Sequence, residues 1–366
     1  MNDDCLKLTA YFAERERERA GARFLGDALL AVCERHGLRC GVLLRGSEGF
    51  GRHQVLQTDR LLSLSEDLPM VLVAVDSRQR IETALAALGE VAGHGLLTLE
   101  RARLLSADAA DAPALGPELA PARESVKLTV YCGRHERVGR RPAFVAIVEL
   151  LRSRGLHAAT VLLGVDGILH GARERAHFVG ANARVPLMII GVGPGAELAG
   201  LLPELSALLP RPLVTLERAR VCKLAGRLLA EPHAAIPEDP AGRHTWVKLM
   251  VHADHDARYG DRPLFMEIVR RLRAAGAGGA TVLHGIWGWD GERRPAGDRL
   301  LSLRRHVPTV TVVVDKPERA REWMGIIDQV TGDAAVVTSE LVPALRARGE
   351  WGQTGGLRLA ALARGD

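Results

Sequence analysis

"KLTAYF" at residues 7–12 returns as "KLTVYC" at 127–132 and as "KLMVHA" at 248–253. The lysines that open these stretches are 120 and then 121 residues apart. Two further identities link the same segments: "TLERAR" stands at 98–103 and at 215–220, and "DRLLSL" stands at 59–64 and at 298–303. Matches at a constant spacing are typical of internal repeats. The sequence therefore predicts three copies of one structural unit.

Each copy shows the same succession of periodic segments. Amphipathic stretches that end at a glycine predict a first helix at 24–37, 144–155 and 265–276. A second helix is expected at about 78–92, 195–209 and 317–330, and short apolar runs around the helices predict strands. The resulting order, β-α-β-β-α-β, is that of the ferredoxin-like split βαβ unit. We predict an α+β protein of three tandem ferredoxin-like domains.

Segments rich in proline and alanine separate the copies. They place the repeats at 1–106, 125–223 and 245–345, with linkers at 107–124 and 224–244 and a tail at 346–366. A ferredoxin-like domain leaves one face of its sheet without helices, and that face must be covered. We predict that the three sheets cover one another, so that one chain forms an internal pseudo-trimer. The alternative is a string of separate domains, each of which pairs with other chains.

Composition limits the class of protein. Hydrophobic residues make up 47% and charged residues 25% of the chain, which are the proportions of a globular protein. No apolar run reaches the roughly 18–20 residues that span a bilayer, and the N-terminus lacks the features of a signal peptide. The five cysteines form no CxxC pair. These features predict a cytoplasmic protein that is not itself a membrane protein. A net charge of +5 over this length does not indicate a nucleic-acid partner.

No arrangement of catalytic or metal-binding residues recurs across the copies. Neither a nucleophile nor an acid–base pair is repeated, so we predict no catalytic residues and no enzymatic activity. "VHADHD" at 251–256 contains metal-ligand residue types, but the first copy lacks them, which favours a solvated strand end over a metal site. Glu100, Glu217 and Glu340 do recur after the last strand, and we interpret them as structural hydrogen-bond acceptors.

The loop between the two middle strands is unusually long in every copy. Antiparallel neighbours need only about 2–5 connecting residues, whereas roughly 20 intervene here. Each loop opens with Gly-x-x-Gly, which indicates either a sharp bend that leaves the strand or a backbone wall that approaches a ligand. The candidate ligand-binding glycines are Gly46, Gly49, Gly51, Gly164, Gly167, Gly285 and Gly288.

The third loop differs from the other two beyond its glycines. It carries Trp287, Trp289, Arg293 and Arg294. Tryptophans and arginines near a loop tip favour docking of a partner protein. Local packing of the two tryptophans against the end of the sheet is the alternative.

One glycine-rich turn predicts an anion site. "GVGPG" at 191–195 follows a strand and opens a helix. The backbone N–H groups of Gly191, Gly193 and Gly195 therefore favour a phosphate at this helix N-terminus.

The repeated "TLERAR" adds two pairs of arginines. In an extended segment Arg101 and Arg103 point the same way, as do Arg218 and Arg220. Each pair can grip one phosphate, or it can lie as a solvated strand end. The third copy has apolar residues at these positions, so at most two of three clefts contain such a pair.

The strand ends, loops and closing strands together resemble the PII-like family of uncharacterised proteins called domain of unknown function 190. The resemblance covers most of the chain, and the first copy carries the pattern most completely, in Gly46, Gly49, Phe50, Gly51, Pro69 and Asp76. The third copy keeps Gly285, Gly288, Pro308 and Asp315. The second copy keeps Gly164, Gly167 and Pro186 but has Gly193 where the others have an aspartate.

The resemblance implies a PII-type scaffold, in which ligand clefts lie between subunits and a long loop presents the ligand state to a partner. In PII proteins adenine nucleotides occupy the clefts, and their phosphates meet the loop after the third strand and basic residues after the last strand. The loops that correspond are 76–80, 191–195 and 315–319.

The expected function follows from that scaffold. The resemblance implies a signalling or adaptor protein that requires no cofactor and binds a small anionic metabolite, with an adenine nucleotide as first candidate. It also implies a partner protein, for which a membrane transporter is one candidate. A docking scaffold that needs no ligand is the alternative, and a small-molecule enzyme ranks below it.

Overall fold

The computed structural model describes residues 5–51, 54–58, 67–106, 125–175, 185–209, 211–234, 236, 239–291, 296–297, 307–349 and 352–360. These residues form three successive β-α-β-β-α-β units, as the sequence predicts. The first repeat contains β1 (Cys5–Ala13), α1 (Leu25–Arg35), β2 (Cys40–Arg45), β3 (Glu48–Phe50), β4 (Leu56–Thr58), β5 (Pro69–Ser77), α2 (Arg78–Val91) and β6 (Gly95–Ser106).

The second repeat contains β7 (Ser125–Gly133), β8 (Arg137–Val138), β9 (Arg141–Pro142), α3 (Ala143–Ser153), β10 (Ala158–Leu169), β11 (Ala172–Arg175), β12 (Pro186–Pro194), α4 (Gly195–Leu208), β13 (Leu213–Leu224) and β14 (Arg227–Leu228). The third contains β15 (Trp246–Asp254), β16 (Arg258–Tyr259), β17 (Arg262–Pro263), α5 (Leu264–Ala274), β18 (Ala280–His284), β19 (Trp287–Asp290), β20 (Ala296–Gly297), β21 (Pro308–Asp315), α6 (Pro317–Thr331) and β22 (Ala335–Val342). Two tail strands follow, β23 (Ala344–Gly349) and β24 (Gly352–Gly356).

The first helix of each repeat ends where its sequence predicts. Gly37, Gly155 and Gly276 follow α1, α3 and α5 with φ of 63°, 74° and 76°. Glycine adopts this left-handed conformation without a side-chain clash, so it terminates the helix and turns the chain toward the next strand.

Four strands of each repeat form an antiparallel sheet in the order last, first, third, second. In the first repeat β1 pairs with both β6 and β5, and β5 pairs with β2. The same order runs β13, β7, β12, β10 in the second repeat and β22, β15, β21, β18 in the third.

The segments that the sequence predicts as long loops do not begin as loops. They begin as strands that cross to a neighbouring repeat: β3 pairs with β18, the second half of β10 pairs with β2, and β19 pairs with the first half of β10. Because β2, β10 and β18 are the outer strands of their own sheets, each offers an open edge for this pairing. The sequence alone does not show these edges.

The last strands join the repeats a second time. The end of β6 pairs with β13, the end of β13 pairs with β22, and β23 pairs with β6. Together with the crossing strands, these contacts make a closed antiparallel circuit of eight strands from two repeats, in the order β2, β5, β1, β6, β13, β7, β12, β10.

The hydrophobic core has two layers. Each sheet buries one face beneath its own two helices. The opposite faces of the three sheets meet in a shared core that contains no helical residue and includes Val42, Tyr131, Met188, Met250 and Val310. The helix-free faces therefore cover one another within a single chain.

The connecting segments differ in how they are placed. The first linker, at 107–124, lies outside the described residues. The second begins with a short hairpin between β13 and β14, and the tail forms a hairpin of β23 and β24 that extends the first repeat's sheet. None of the helices in the described part of the chain has the length and apolar character needed to cross a membrane.

Candidate functional site

A cleft of about 640 Å³ lies between the first and third repeats. One wall comes from the end of β1, the strand β3 and the segment that leads into and through β4. The other wall comes from the turn at 278–281, the end of β21 and the tail strand β23. A volume in this range is typical of sites for small molecules.

The crossing strand β3 fixes the geometry of the cleft. Glu48, Gly49 and Phe50 pair with Val282, Thr281 and Ala280 of the third repeat. A Cβ at Gly49 would lie 2.5 Å from the carbonyl oxygen of Ala280, so this close approach requires glycine. The pairing holds the start of the long loop against the third repeat, directly beside the cleft.

Most of the cleft surface is apolar. Aromatic and aliphatic side chains from both repeats line it: Tyr11, Phe12, Phe50, Val55, Leu96, Trp246, Val312, Val314 and Leu345. Trp246 is buried and packs with Leu345 and Ala347 of the tail. Such a lining favours a flat apolar group.

The acidic groups at the cleft have partners within the protein. Glu16 accepts a hydrogen bond from the backbone N–H of Ala13, and Asp67 accepts one from the N–H of Arg15. Asp315 accepts hydrogen bonds from Trp323 Nε1 at 3.0 Å and from the N–H of Lys316 at 2.8 Å. These carboxylates are therefore occupied with holding the cleft walls in place.

Arg348 is the exception among the charged lining residues. It lies on β23, is half-buried, and makes no ion pair or side-chain hydrogen bond with another described residue. An anionic group on a ligand can bind this guanidinium. Arg348 lies in the tail, where no repeat in the sequence marks it as a candidate.

The Gly-x-x-Gly glycines lie mainly at contacts between strands. A Cβ at Gly167 would lie 2.3 Å from the carbonyl oxygen of Gly41, and one at Gly288 would lie 2.1 Å from that of Ala159. Gly46, Gly164 and Gly285 approach the prolines that open the third strands, Pro69, Pro186 and Pro308. Of the glycines in these motifs, Gly51 lines the cleft.

The "GVGPG" turn lies in the second repeat. Gly191 and Gly193 leave room for Leu156, because a Cβ at either would approach that side chain within 3 Å. Gly195 is the buried first residue of α4. The three glycines do not line the cleft between the first and third repeats.

The two arginine pairs lie on the last strands, away from this cleft. Arg101 Nη2 donates to the carbonyl oxygen of Ala360 at 2.6 Å, and Arg103 lies opposite Leu216 in the second repeat. Arg218 and Arg220 are exposed on one side of buried Ala219, so this pair does share a face.

The two tryptophans predicted to dock a partner pack against the second repeat instead. Trp289 is only 3% exposed and belongs to the core of the second repeat, so the docking prediction is wrong for this side chain. Trp287 is half-buried and packs edge-on against Phe144, with ring centroids 6.5 Å apart. Local packing, the alternative reading, describes both. Arg293 and Arg294 lie outside the described residues.

A buried ring of charges lies where the three repeats meet. The lysines of the repeated "KL" stretches face the recurring glutamates, and each glutamate contacts at least two lysines; the residues are Lys7, Lys127, Lys248, Glu100, Glu217 and Glu340. Within a repeat the Nζ–Oε2 distances are 2.9, 2.8 and 2.9 Å. Three ammonium groups and three carboxylates make the ring neutral.

The lysines of the ring keep Glu100 and Glu340 ionised, because they lower the pKa of both carboxyl groups. Burial alone would raise the pKa of Glu340, but Lys127 and Lys248 outweigh burial and hold the pKa at about 2. Burial lowers the pKa of Lys127 to about 8, against the opposing effect of Glu217 and Glu340. The three glutamates offer oxygens within 4.8 Å of one another, a geometry that can suit a cation. The lysines already supply that positive charge.

The sequence contains the signal for this ring. Each lysine lies directly opposite its glutamate in the pairing of first and last strands, Lys7 with Glu100, Lys127 with Glu217 and Lys248 with Glu340. The interpretation of the glutamates as structural acceptors agrees with these contacts.

Three successive units with a cleft between the first and the third define a tandem-repeat α+β protein. The profile of DUF190, a family described as "Uncharacterized ACR", matches residues 5–104, 125–221 and 246–344. These matches cover most of the chain. The chain therefore belongs to the DUF190 family and carries three tandem copies of its domain.

Proposed function

We propose that this chain is a PII-like ligand-sensing adaptor rather than an enzyme. In this proposal its three ferredoxin-like, PII-like repeats act as an intrachain pseudo-trimer. The cleft between the first and third repeats binds a small anionic metabolite, with an adenine nucleotide as first candidate. A partner protein, for which a membrane transporter is one candidate, reads the ligand state.

One observation carries the proposal: the first long loop is itself part of the cleft. Gly51, Val55 and Gln57 line the cavity from one side, and Asp67 lines it where the loop returns to β5. A bound molecule would therefore touch both ends of the loop. Differential contacts of this kind are what allow a ligand to shift a loop between conformations.

The lining indicates the chemistry of the ligand. The aromatic and aliphatic wall suits a flat ring, and Arg348 offers one positive charge at the tail strand. A molecule with a planar apolar part and an anionic group satisfies both. Adenine nucleotides have this character, and AMP presents the smallest anionic group among them.

Calorimetric titration of the full chain with ATP, ADP and AMP tests the proposal. Gly278 lines the cleft, and a Cβ there would meet no atom within 4 Å, so the side chain of Gly278→Leu should take up part of the cavity. We expect this variant to lose binding. Gly325→Leu is the matched control, because Gly325 is exposed on α6 and its Cβ position is also open. Absence of heat with all three nucleotides would remove the nucleotide from the proposal.

Arg348→Ala tests the anionic group separately. Loss of a charged hydrogen bond of roughly 1.5–3 kcal/mol should weaken binding by about tenfold or more. Arg358→Ala is the control, because Arg358 is exposed on the same tail and does not line the cleft. Equal affinity of both variants for the ligand would show that Arg348 does not bind it.

The alternative, a docking scaffold without a ligand, has one observation in its favour. Val55 and Leu56 are 64% and 38% exposed on the first loop, although both are apolar. Exposed apolar residues of this kind can dock a protein directly. Partner binding that is unchanged by Gly278→Leu and by every nucleotide would favour the scaffold.

A further inference from the structure

A second cavity lies on the outer side of the first loop. This arginine groove has a volume of about 570 Å³ and runs between the first loop and α5; its lining is Glu48, Gln54, Leu56, Arg262, Met266, Arg270, Arg273, Ala274 and Gly276. It is separate from the cleft, and the two cavities share no lining residue.

The helix spacing gathers the arginines. Met266, Arg270, Arg273 and Ala274 follow one another at intervals of four, three and one residues, so they occupy one face of α5. Glu267 holds Arg270 through two hydrogen bonds, at 2.8 and 2.6 Å. This contact fixes the position of the Arg270 guanidinium at the groove.

Two of the three arginines have no counter-ion within the described part of the chain. Arg262 and Arg273 are exposed, and neither makes an ion pair with another described residue. The groove therefore has an excess of positive charge that the described part of the protein does not balance.

The second repeat keeps arginines at two of these three positions but not at the third. Counted back from the terminal glycines Gly276 and Gly155, Arg270 corresponds to Glu149. In the second repeat Arg141, the counterpart of Arg262, pairs with Glu149 at 3.1 Å. The third repeat thus has two cations where the second has an internal ion pair.

We propose that the arginine groove docks an acidic segment of a partner polypeptide. Leu56, Met266 and Ala274 provide an apolar floor for a side chain of that segment. Arg262 and Arg273 at the rim provide planar forks that bind carboxylates in bidentate fashion, and Arg270, whose Nε and Nη2 donate to Glu267, adds positive charge. The proposal rests on the proposed function for the partner, and it adds where the partner binds and what chemistry it presents.

The lining favours a polypeptide over a nucleic acid. Single-stranded nucleic acids bind on basic surfaces whose aromatic side chains stack with the bases. None of the described lining residues of the groove is aromatic. An acidic peptide with one apolar side chain can place that side chain on the apolar floor while its carboxylates bind the arginines at the rim.

The first loop connects the groove to the ligand cleft. Gln54 and Leu56 line the groove, whereas their neighbours Val55 and Gln57 line the cleft. Gln54 Nε2 also donates to the carbonyl oxygen of Ala277 at 2.7 Å, which ties the segment to the end of α5. Because neighbouring residues of one segment face both cavities, a shift of this segment on ligand binding changes the groove.

Peptide selection on the full chain tests the docking site. A random-peptide library displayed on phage is selected against the immobilised protein, and we expect clustered Asp and Glu beside an apolar residue. The selected peptide is then titrated by fluorescence polarisation against Arg262→Ala/Arg273→Ala and against the control Arg141→Ala/Arg152→Ala, the matching positions of the second repeat. We expect the first variant to bind at least about tenfold more weakly and the control to bind normally.

Several results would overturn the docking site. One is a selection that shows no enrichment of acidic residues, and another is equal affinity of the two double variants for the selected peptide. A third is binding of a single-stranded oligonucleotide that depends on Arg262 and Arg273, while acidic peptides do not bind.

The cleft titrations are independent of this experiment. Loss of the docking site with normal ligand binding overturns only this inference. Arginine-dependent peptide binding without any ligand response overturns only the ligand-sensing function.

Discussion

Lys7 Nζ lies 2.9 Å from Glu100 Oε2, and both side chains are almost completely buried. The two residues belong to the first repeat, yet each also reaches another: Lys7 contacts Glu217 of the second repeat, and Glu100 contacts Lys248 of the third. The ring therefore links all three repeats through charge pairs. A buried pair contributes little net stability, but loss of one partner leaves an unpaired charge at a large cost.

The first prediction concerns the neutrality of this ring. Lys127→Met leaves one carboxylate in excess and should lower the free energy of unfolding by about 3–5 kcal/mol. Lys127→Met/Glu340→Met removes one charge of each sign, so it should be less destabilised than the single variant. Guanidinium denaturation of the three proteins measures the difference.

An exposed ion pair provides the control for the ring. Arg141 and Glu149 lie 3.1 Å apart and are mostly solvent-exposed, so Arg141→Met should change stability by less than about 1 kcal/mol. If the double variant is as unstable as Lys127→Met, charge balance is not what the ring provides.

Much of the fold follows from the sequence because each repeat carries its own local signals. Apolar periodicity, terminal glycines and the threefold recurrence of "KL" stretches fix the elements and their order. Glu100, Glu217 and Glu340 recur for a physical reason that the structure makes plain, since each lies opposite a lysine. To predict these contacts, one must know the register between the first and last strands of a repeat, because the register places each lysine opposite its glutamate.

The site was less accessible to sequence reasoning. The sequence predicts bends or ligand contacts at the glycines, whereas Gly49 and Gly167 permit backbone contact with another repeat. Only the tertiary structure shows which sheet edge lies open to that contact. Trp289 lies on β19, which pairs with the second repeat and places this side chain in that repeat's core, so the loop position that the sequence suggests is misleading. Arg348 lies beyond the repeats and joins the cleft through β23.

The second prediction concerns the crossing strands. Gly167→Ala would place a Cβ 2.3 Å from the carbonyl oxygen of Gly41, a backbone atom that cannot move aside without breaking the pairing of β10 with β2. We expect a loss of about 1–3 kcal/mol in unfolding free energy and faster hydrogen exchange in both strands.

Gly51→Ala is the matched substitution for this test, because its Cβ would meet no atom within 4 Å. Its stability should change by no more than about 0.5 kcal/mol. Equal destabilisation by the two substitutions would show that the inter-repeat contact at Gly167 is not tight.

The third prediction concerns thiol reactivity. None of the five cysteines forms a disulfide, and all five are buried. Burial raises the pKa of Cys33 and of Cys222 to about 12, so on the order of 10⁻⁴ of each thiol is ionised at pH 8. Ellman's reagent should titrate no thiol in the native protein within minutes and five in guanidinium chloride. Rapid modification of a native thiol would contradict the closed packing between repeats.

The last prediction concerns acid stability. His252 is fully buried, and its desolvation lowers the pKa of the imidazole to about 4, even though Glu340 favours the charged form. In the unfolded chain the same group titrates near its ordinary value of 6.5. Between these two pH values the unfolded state binds more protons than the folded state, so stability falls as pH decreases from 6.5 to 4, by up to about 3 kcal/mol.

His252→Phe removes this proton uptake, and its unfolding free energy should decrease less steeply than that of the wild type over that window. The control is His94→Phe, because His94 is exposed and should leave the slope unchanged. Parallel stability curves for the wild type and His252→Phe would show that the buried imidazole does not set the acid limit.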